Sequence, residues 1–107
     1  EIEISINRNK ILDYGLSIEI EKYIFKKNYC IIPNPLVLFY TISCAISGGA
    51  KSIAISGVDG YADSDARNEL NNNLFKEFNK NINNKIPIYS ITPSNYRNLD
   101  KKSIFGF

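Results

Sequence analysis

A carboxylate and a phenol two residues apart, Asp59 and Tyr61, stand on a turn loosened by Gly57 and Gly60. The turn follows the apolar run Ser52-Ile53-Ala54-Ile55-Ser56 and precedes Asp63-Ser64-Asp65, a good helix start. That order places both groups at the carboxyl end of a sheet strand, where open α/β sheets bind ligands. There Asp59 can accept from a ribose or sugar hydroxyl, and Tyr61 can donate to a phosphate oxygen. The alternative is structural: Asp59 bonds loop amides, and Tyr61 packs as an amphipathic lid.

Two further strand ends bear on the same crevice. Pro33-Asn34 closes the preceding strand. Asn34 is an amide donor beside a helix N-terminus, where anions are favoured, and its plainer role is an ordinary N-cap. Thr92-Pro93-Ser94-Asn95-Tyr96 closes a third strand, so Thr92 and Ser94 either line the crevice or form a plain turn. In a parallel sheet the three ends converge. Asp63, Asp65 and Arg67 cluster in a first helical turn, where the macrodipole favours Asp; a metal or phosphate role is the alternative. Gly48-Gly49 follows a helix and reads as its left-handed cap. Neither G-x-G-x-x-G nor a Walker pattern occurs.

The 107 residues include no His. Ser-His-Asp and Cys-His catalysis are therefore excluded within this chain, and the commonest metal ligand and usual general base are missing. Any chemistry here must use carboxylates, Tyr, Lys or backbone amides, or must happen elsewhere. No catalytic residue, metal ligand or cofactor is assigned to this domain. Cys30 and Cys44 sit in apolar surroundings and read as small buried hydrophobes, with neither a disulfide nor a metal site expected.

The elements that position these groups follow from periodicity. Glu1 to Ile6 alternates strictly, as a half-exposed strand does, and Asn7 to Lys10 is a polar turn. Ser17 to Glu21 alternates again and Tyr23 to Phe25 continues β-branched and aromatic, so an extended or hairpin segment is expected over 1–28, a short helix being the alternative. Tyr29 to Ile32 is a buried strand ended by Pro33. Asn34 and Pro35 start a helix that runs to about Ser47. Ser52 to Ser56 is the next strand. Asp63 or Ser64 caps a helix to about Ile82, with an apolar stripe of Leu70, Leu74, Phe75, Phe78 and Ile82 and an outer face of Glu69, Asn72, Lys76, Asn79 and Lys80. Pro87 to Thr92 is the third strand, and the tail from Tyr96 is irregular.

The order β-α-β-α-β with short connections predicts right-handed parallel crossovers. The expected fold class is α/β: a three-layer, Rossmann-like half with a short parallel sheet over residues 29–107, preceded by the extended segment 1–28. Helix 35–47 is apolar nearly all round, so a second layer must cover it: the N-terminal segment, a second copy of the chain, or a domain outside this sequence. The opening Glu1-Ile2-Glu3-Ile4, inside a strand pattern and without an initiating Met, leads us to expect the C-terminal piece of a larger protein.

Net charge is +2 with the basic residues scattered, which argues against a nucleic-acid surface. The longest apolar stretch, Pro35 to Ile46, is too short to span a bilayer. No signal peptide is visible, and a cytoplasmic location is expected.

Ile32-Pro33-Asn34, the apolar helix, Gly49-Ala50-Lys51-Ser52-Ile53 and Ser56-Gly57-Val58-Asp59-Gly60-Tyr61 together resemble the C-terminal region of bacterial aldolase-type proteins of surface-polysaccharide biosynthesis. Ile91-Thr92-Pro93-Ser94-Asn95-Tyr96 and Ser103-Ile104-Phe105 fit the same resemblance, which covers about Asp13 to the end. In those proteins a lyase domain similar to 4-hydroxy-2-oxovalerate aldolase and hydroxymethylglutaryl-CoA lyase carries an extra C-terminal domain. The resemblance implies an accessory module, a lyase centre elsewhere and a divalent metal only in that missing aldolase domain.

More distantly, Ile32 to Tyr61 is similar to bacterial sialyltransferases that use a CMP-sugar. That implies Pro33 and Asn34 near the donor, Gly57 and Asp59 in a nucleotide pocket, and Tyr61 facing a phosphate oxygen. The Ser-Gly of that family's first turn is replaced by Pro33-Asn34, its catalytic His is missing, and so is its N-terminal Gly-rich strand. The expected ligand is a nucleotide, nucleotide sugar or sugar phosphate, with a sialyltransferase-like transferase or an oligomerisation domain working through helix 35–47 as the competing readings.

Overall fold

A computed structural model of the protein describes residues 13–82, 86–103 and 105. Its contacts divide the chain into a first unit ending at Gly48 and a second beginning at Gly49. The boundary expected between residues 28 and 29 falls inside the first unit. The strand expected over 1–6 and the turn over 7–10 lie outside the described residues.

In the first unit, β1 (Gly15–Ile18), β2 (Ile24–Phe25) and β3 (Tyr29–Ile32) form a sheet of order β1-β3-β2. β1 runs parallel to β3, from Gly15 opposite Tyr29 to Ile18 opposite Ile32, and β2 is antiparallel to it. Alternation buries Cys30 and Ile32 on one face of β3, and Pro33 ends the strand as the sequence predicts. Helix α1 (Val37–Ser47) buries Phe39, Ile42 and Ser43.

The helix starts later than expected. Leu36, not Asn34, is its N-cap; it is extended and its apolar side chain caps nothing, so packing of Phe39 anchors the first turn. At the other end Gly49 takes the left-handed conformation (φ +85°) expected of the Gly48-Gly49 pair. Cys30 is fully buried, but Cys44 is exposed, which corrects the reading of both thiols as buried. Each helical residue turns about 100°. Ser43 takes the inward position and bonds the Phe39 carbonyl at 2.6 Å, so Cys44 is rotated outward.

Tyr14 ties the start of β1 to α1. Its hydroxyl lies 3.1 Å from the Ser43 carbonyl and 2.6 Å from Ser47 Oγ, and its ring tilts against Tyr40 at 5.6 Å. Burial is the main force pushing the phenol up to about 12. A raised value favours the protonated form in the fold. The contribution of Tyr14 is therefore complete below the ordinary tyrosine range and is lost as pH rises towards about 12. An ultraviolet tyrosinate titration is expected to show one phenol ionising last, near that value, and Tyr14→Phe should remove that step. An unchanged titration curve in the variant would contradict the assignment.

The second unit is the α/β part. β4 (Ile53–Ile55), helix α2 (Ala66–Asn81) and β5 (Ile88–Ser90) make a parallel crossover, with Ile53 opposite Ile88 and Ile55 opposite Ser90. The tail, read as irregular, adds a third parallel strand, β6 (Asp100–Lys101), whose Asp100 pairs with Tyr89. Two polar residues give no hydrophobic signal; the Lys101 ammonium bonds the Tyr96 and Leu99 carbonyls instead. The sheet order is β4-β5-β6. β3 is not part of it, because both edges of β3 are already taken by β1 and β2.

Helix α2 departs from its predicted faces. Asp65 is the N-cap, its Oδ1 accepting from the Arg67 amide at 2.9 Å. Phe75, Phe78 and Ile82 are buried as predicted, but Leu70, placed in the apolar stripe, is 60% exposed, and Asn72, placed on the outer face, is only 2% exposed. Asn68, Asn72 and Asn79 share a face with the two phenylalanines and hold the segment after β5. Asn72 Oδ1 accepts from the Asn98 amide at 2.8 Å, Asn98 Nδ2 donates to the Asn72 carbonyl at 2.9 Å, and Asn79 Nδ2 donates to the Asn98 carbonyl at 3.1 Å. A buried amide is tolerated when its hydrogen bonds are made. Among the described residues no helix is long and apolar enough to cross a membrane.

Candidate functional site

The parallel register brings the carboxyl ends of β4 and β5 side by side, and the Ile91 amide extends the ladder by bonding the Ile55 carbonyl at 2.9 Å. The chain leaving β4 and the chain leaving β5 are then stitched together. The Gly57 amide donates to Thr92 Oγ1 at 3.0 Å. Ser90 Oγ donates to the Thr92 carbonyl at 2.7 Å, which folds the second loop back on its strand. The Asn95 amide donates to the Asp59 carbonyl at 2.7 Å, and Asn95 Nδ2 donates to the Tyr61 carbonyl at 2.9 Å. Ser94 Oγ accepts from the Tyr96 amide at 3.2 Å.

Helix α2 closes the arrangement from below. Asn68 Oδ1 accepts from the Tyr61 amide at 3.0 Å, and its Nδ2 donates to the Asn95 carbonyl at 3.4 Å. Gly60 passes directly over this amide with φ +84°. A Cβ there would lie 3.0 Å from Asn68 Oδ1 and 3.3 Å from Asn95 Cβ, so both the backbone angle and the space require glycine. Gly57 also has a positive φ (+78°), but nothing crowds it.

Backbone groups and amides thus carry the loop, and the carboxylate of Asp59 and the hydroxyl of Tyr61 are left without a hydrogen bond among the described residues. Asp59 is exposed and Tyr61 half-buried. The Tyr61 ring is engaged by its face: the Arg67 guanidinium carbon sits 4.2 Å from the ring centroid. Arg67 also grips Asp65 with two bonds, Nε to Oδ1 at 3.1 Å and Nη2 to Oδ2 at 2.7 Å. The guanidinium and the Arg67 amide together hold the Asp65 carboxyl down at about 2, and the carboxylate in turn raises the pKa of Arg67.

Of the residues singled out from the sequence, the structure brings Gly57, Asp59, Tyr61, Thr92 and Ser94 into one pair of loops. Asn34 belongs to the first unit, where it follows β3 and makes no hydrogen bond among the described residues. Thr92 and Ser94 spend their hydroxyls on loop amides, so their observed role is to shape the turn. The sequence does not single out Asn68, and it marks Asn95 only as part of the Thr92 to Tyr96 stretch, not as a clamp. The only hint was position, an amide one turn into the helix that follows the loop and another on the facing loop. No group of three or more Cys, Asp or Glu among the described residues is placed to hold a metal ion. Set against models of known protein families, curated proteins and solved structures, the chain matches none.

Proposed function

We propose that the second unit is an accessory ligand-binding module for a nucleotide, nucleotide sugar or sugar phosphate. The observation that carries this reading is a carboxylate and a phenol, Asp59 and Tyr61, that make no hydrogen bond among the described residues and stand on a loop at the carboxyl edge of a parallel sheet. Open α/β sheets bind ligands at that edge. A carboxylate accepts from sugar hydroxyls, and a phenol and a guanidinium donate to phosphate. The loop is held by backbone and amide bonds that a ligand need not break, so little ordering cost opposes binding. The resemblance of Ser56 to Tyr61 and Ile91 to Tyr96 to aldolase-type proteins supports a place for this module beside a lyase of surface-carbohydrate synthesis, with catalysis in that partner domain.

Titration calorimetry with CMP, UDP and glucose 1-phosphate tests the reading. At least one is expected to bind with a Kd in the micromolar to millimolar range. Asp59→Asn is expected to weaken that ligand by about tenfold, the effect of one lost charge-assisted hydrogen bond. Silence from all three at millimolar concentration would leave the unit a purely structural module.

A further inference from the structure

Resting on that reading, we propose that Arg67 is the phosphate-binding residue of the site and that Tyr61 and Asp65 are its positioning residues. A guanidinium has five N–H donors in a planar fork. Asp65 takes the side edge, formed by Nε and one N–H of Nη2. Tyr61 lies against one flat face. What remains is the end edge, Nη1 with the second N–H of Nη2, two parallel donors with no partner among the described residues. That edge has the spacing for two oxygens of one phosphate.

A long side chain ordinarily loses rotamer freedom when it binds an anion. Here the fork is already fixed from two directions, so most of that loss is met by the fold itself. The Asp65 carboxylate is fixed in turn, because its Oδ1 also takes the Arg67 amide hydrogen as the cap of α2. The arrangement reassigns the phenol. With its face beneath the guanidinium, Tyr61 serves as a platform, and the phosphate goes to Arg67. Asp59, an acceptor on the same loop with no hydrogen bond among the described residues, would repel a bare anion and favour one that also offers hydroxyls. The ligand class is therefore a phosphate monoester of a sugar or nucleoside, in preference to inorganic phosphate.

The test compares CMP with cytidine, glucose 1-phosphate with glucose, and inorganic phosphate, by calorimetry on the intact chain. The wild-type protein is expected to bind at least one monoester at least about tenfold more tightly than its phosphate-free counterpart and than inorganic phosphate. Arg67→Ala should bring the monoester down to the level of the phosphate-free compound and leave the latter unchanged. Arg67→Lys should restore only part of the difference, because an ammonium cannot hold Asp65 and phosphate through two parallel pairs. Circular dichroism melting reports whether each variant is folded. Monoester binding that survives unchanged in folded Arg67→Ala would overturn the role of Arg67 and leave the broader reading standing. A wild-type protein that binds no monoester would overturn both.

Discussion

Phe75→Ala is expected to remove about 3–5 kcal/mol from the stability of the second unit, the range for truncating a buried aromatic. Phe75 is 2% exposed, and its ring meets Tyr96 at 5.2 Å with a tilt of 48°. Both the transferred apolar area and the cavity left behind count against the variant. Tyr96 could not easily collapse into the space, because its hydroxyl accepts from Asn71 Nδ2 at 3.1 Å and its amide is held by Ser94 Oγ. Against a domain stability of roughly 5–15 kcal/mol the loss is a large share. It should also reach the site, since Tyr96 Cε1 lies where a side chain on Gly60 would have to go. Urea unfolding followed by circular dichroism measures it. A loss below about 1 kcal/mol, the size of an ordinary surface change, would show that the ring is not part of a packed core.

Asn72→Ala comes second, at about 2–3 kcal/mol. Removing the amide strands the Asn98 backbone N–H, which has Asn72 Oδ1 as its partner at 2.8 Å. An unsatisfied donor costs about 1–3 kcal/mol when buried, the half-buried Asn98 amide falls at the lower end, and the lost packing of a side chain only 2% exposed adds to it. The neighbouring Asn73→Ala is the control: Asn73 is exposed and should stay within about 0.5 kcal/mol of wild type. The same urea experiment separates the two. Equal effects at 72 and 73 would mean that the amide row is an ordinary solvated helix face after all.

That row marks where the sequence stopped being readable. The strands at 29–32, 53–55 and 88–90 were legible because β-branched runs bounded by Pro and Gly leave few alternatives. The two helices were legible from periodicity, with each N-cap misplaced by one or two residues, Leu36 standing for Asn34 and Asp65 for Asp63 or Ser64. Faces were harder. Counting apolar residues assigned Leu70 inward and Asn72 outward, because periodicity weighs side chains by polarity alone. It does not register that the backbone of residues 95–98 offers partners that make a buried amide favourable. β6 escaped for a similar reason, as Asp100 and Lys101 join a sheet through main-chain bonds only. The sheet partner of β3 escaped because strand pairing is decided by which edges are free, and β1 carried too weak a pattern to be seen as the competitor. At the site, the turn and its glycines were visible as residue types. The clamp by Asn68 and Asn95 and the guanidinium seated on Tyr61 depend on chain segments that come together only after folding.

The two units differ in what must happen before they can form. In the first, β2 and β3 meet across a tight turn, the Lys26 amide reaching the Tyr29 carbonyl at 2.9 Å. Such hairpins close in about 1–10 μs. In the second, β4 and β5 pair only across the intervening α2, and the Gly57–Thr92 bond joins residues 35 apart in the chain. Loop closure over that span gains no sheet contact until α2 has shortened the distance. The helix is therefore expected to form before β4 and β5 pair. The loop from Gly57 to Tyr61, bonded to the chain that leaves β5, is in turn expected to gain its shape only once that crossover has closed.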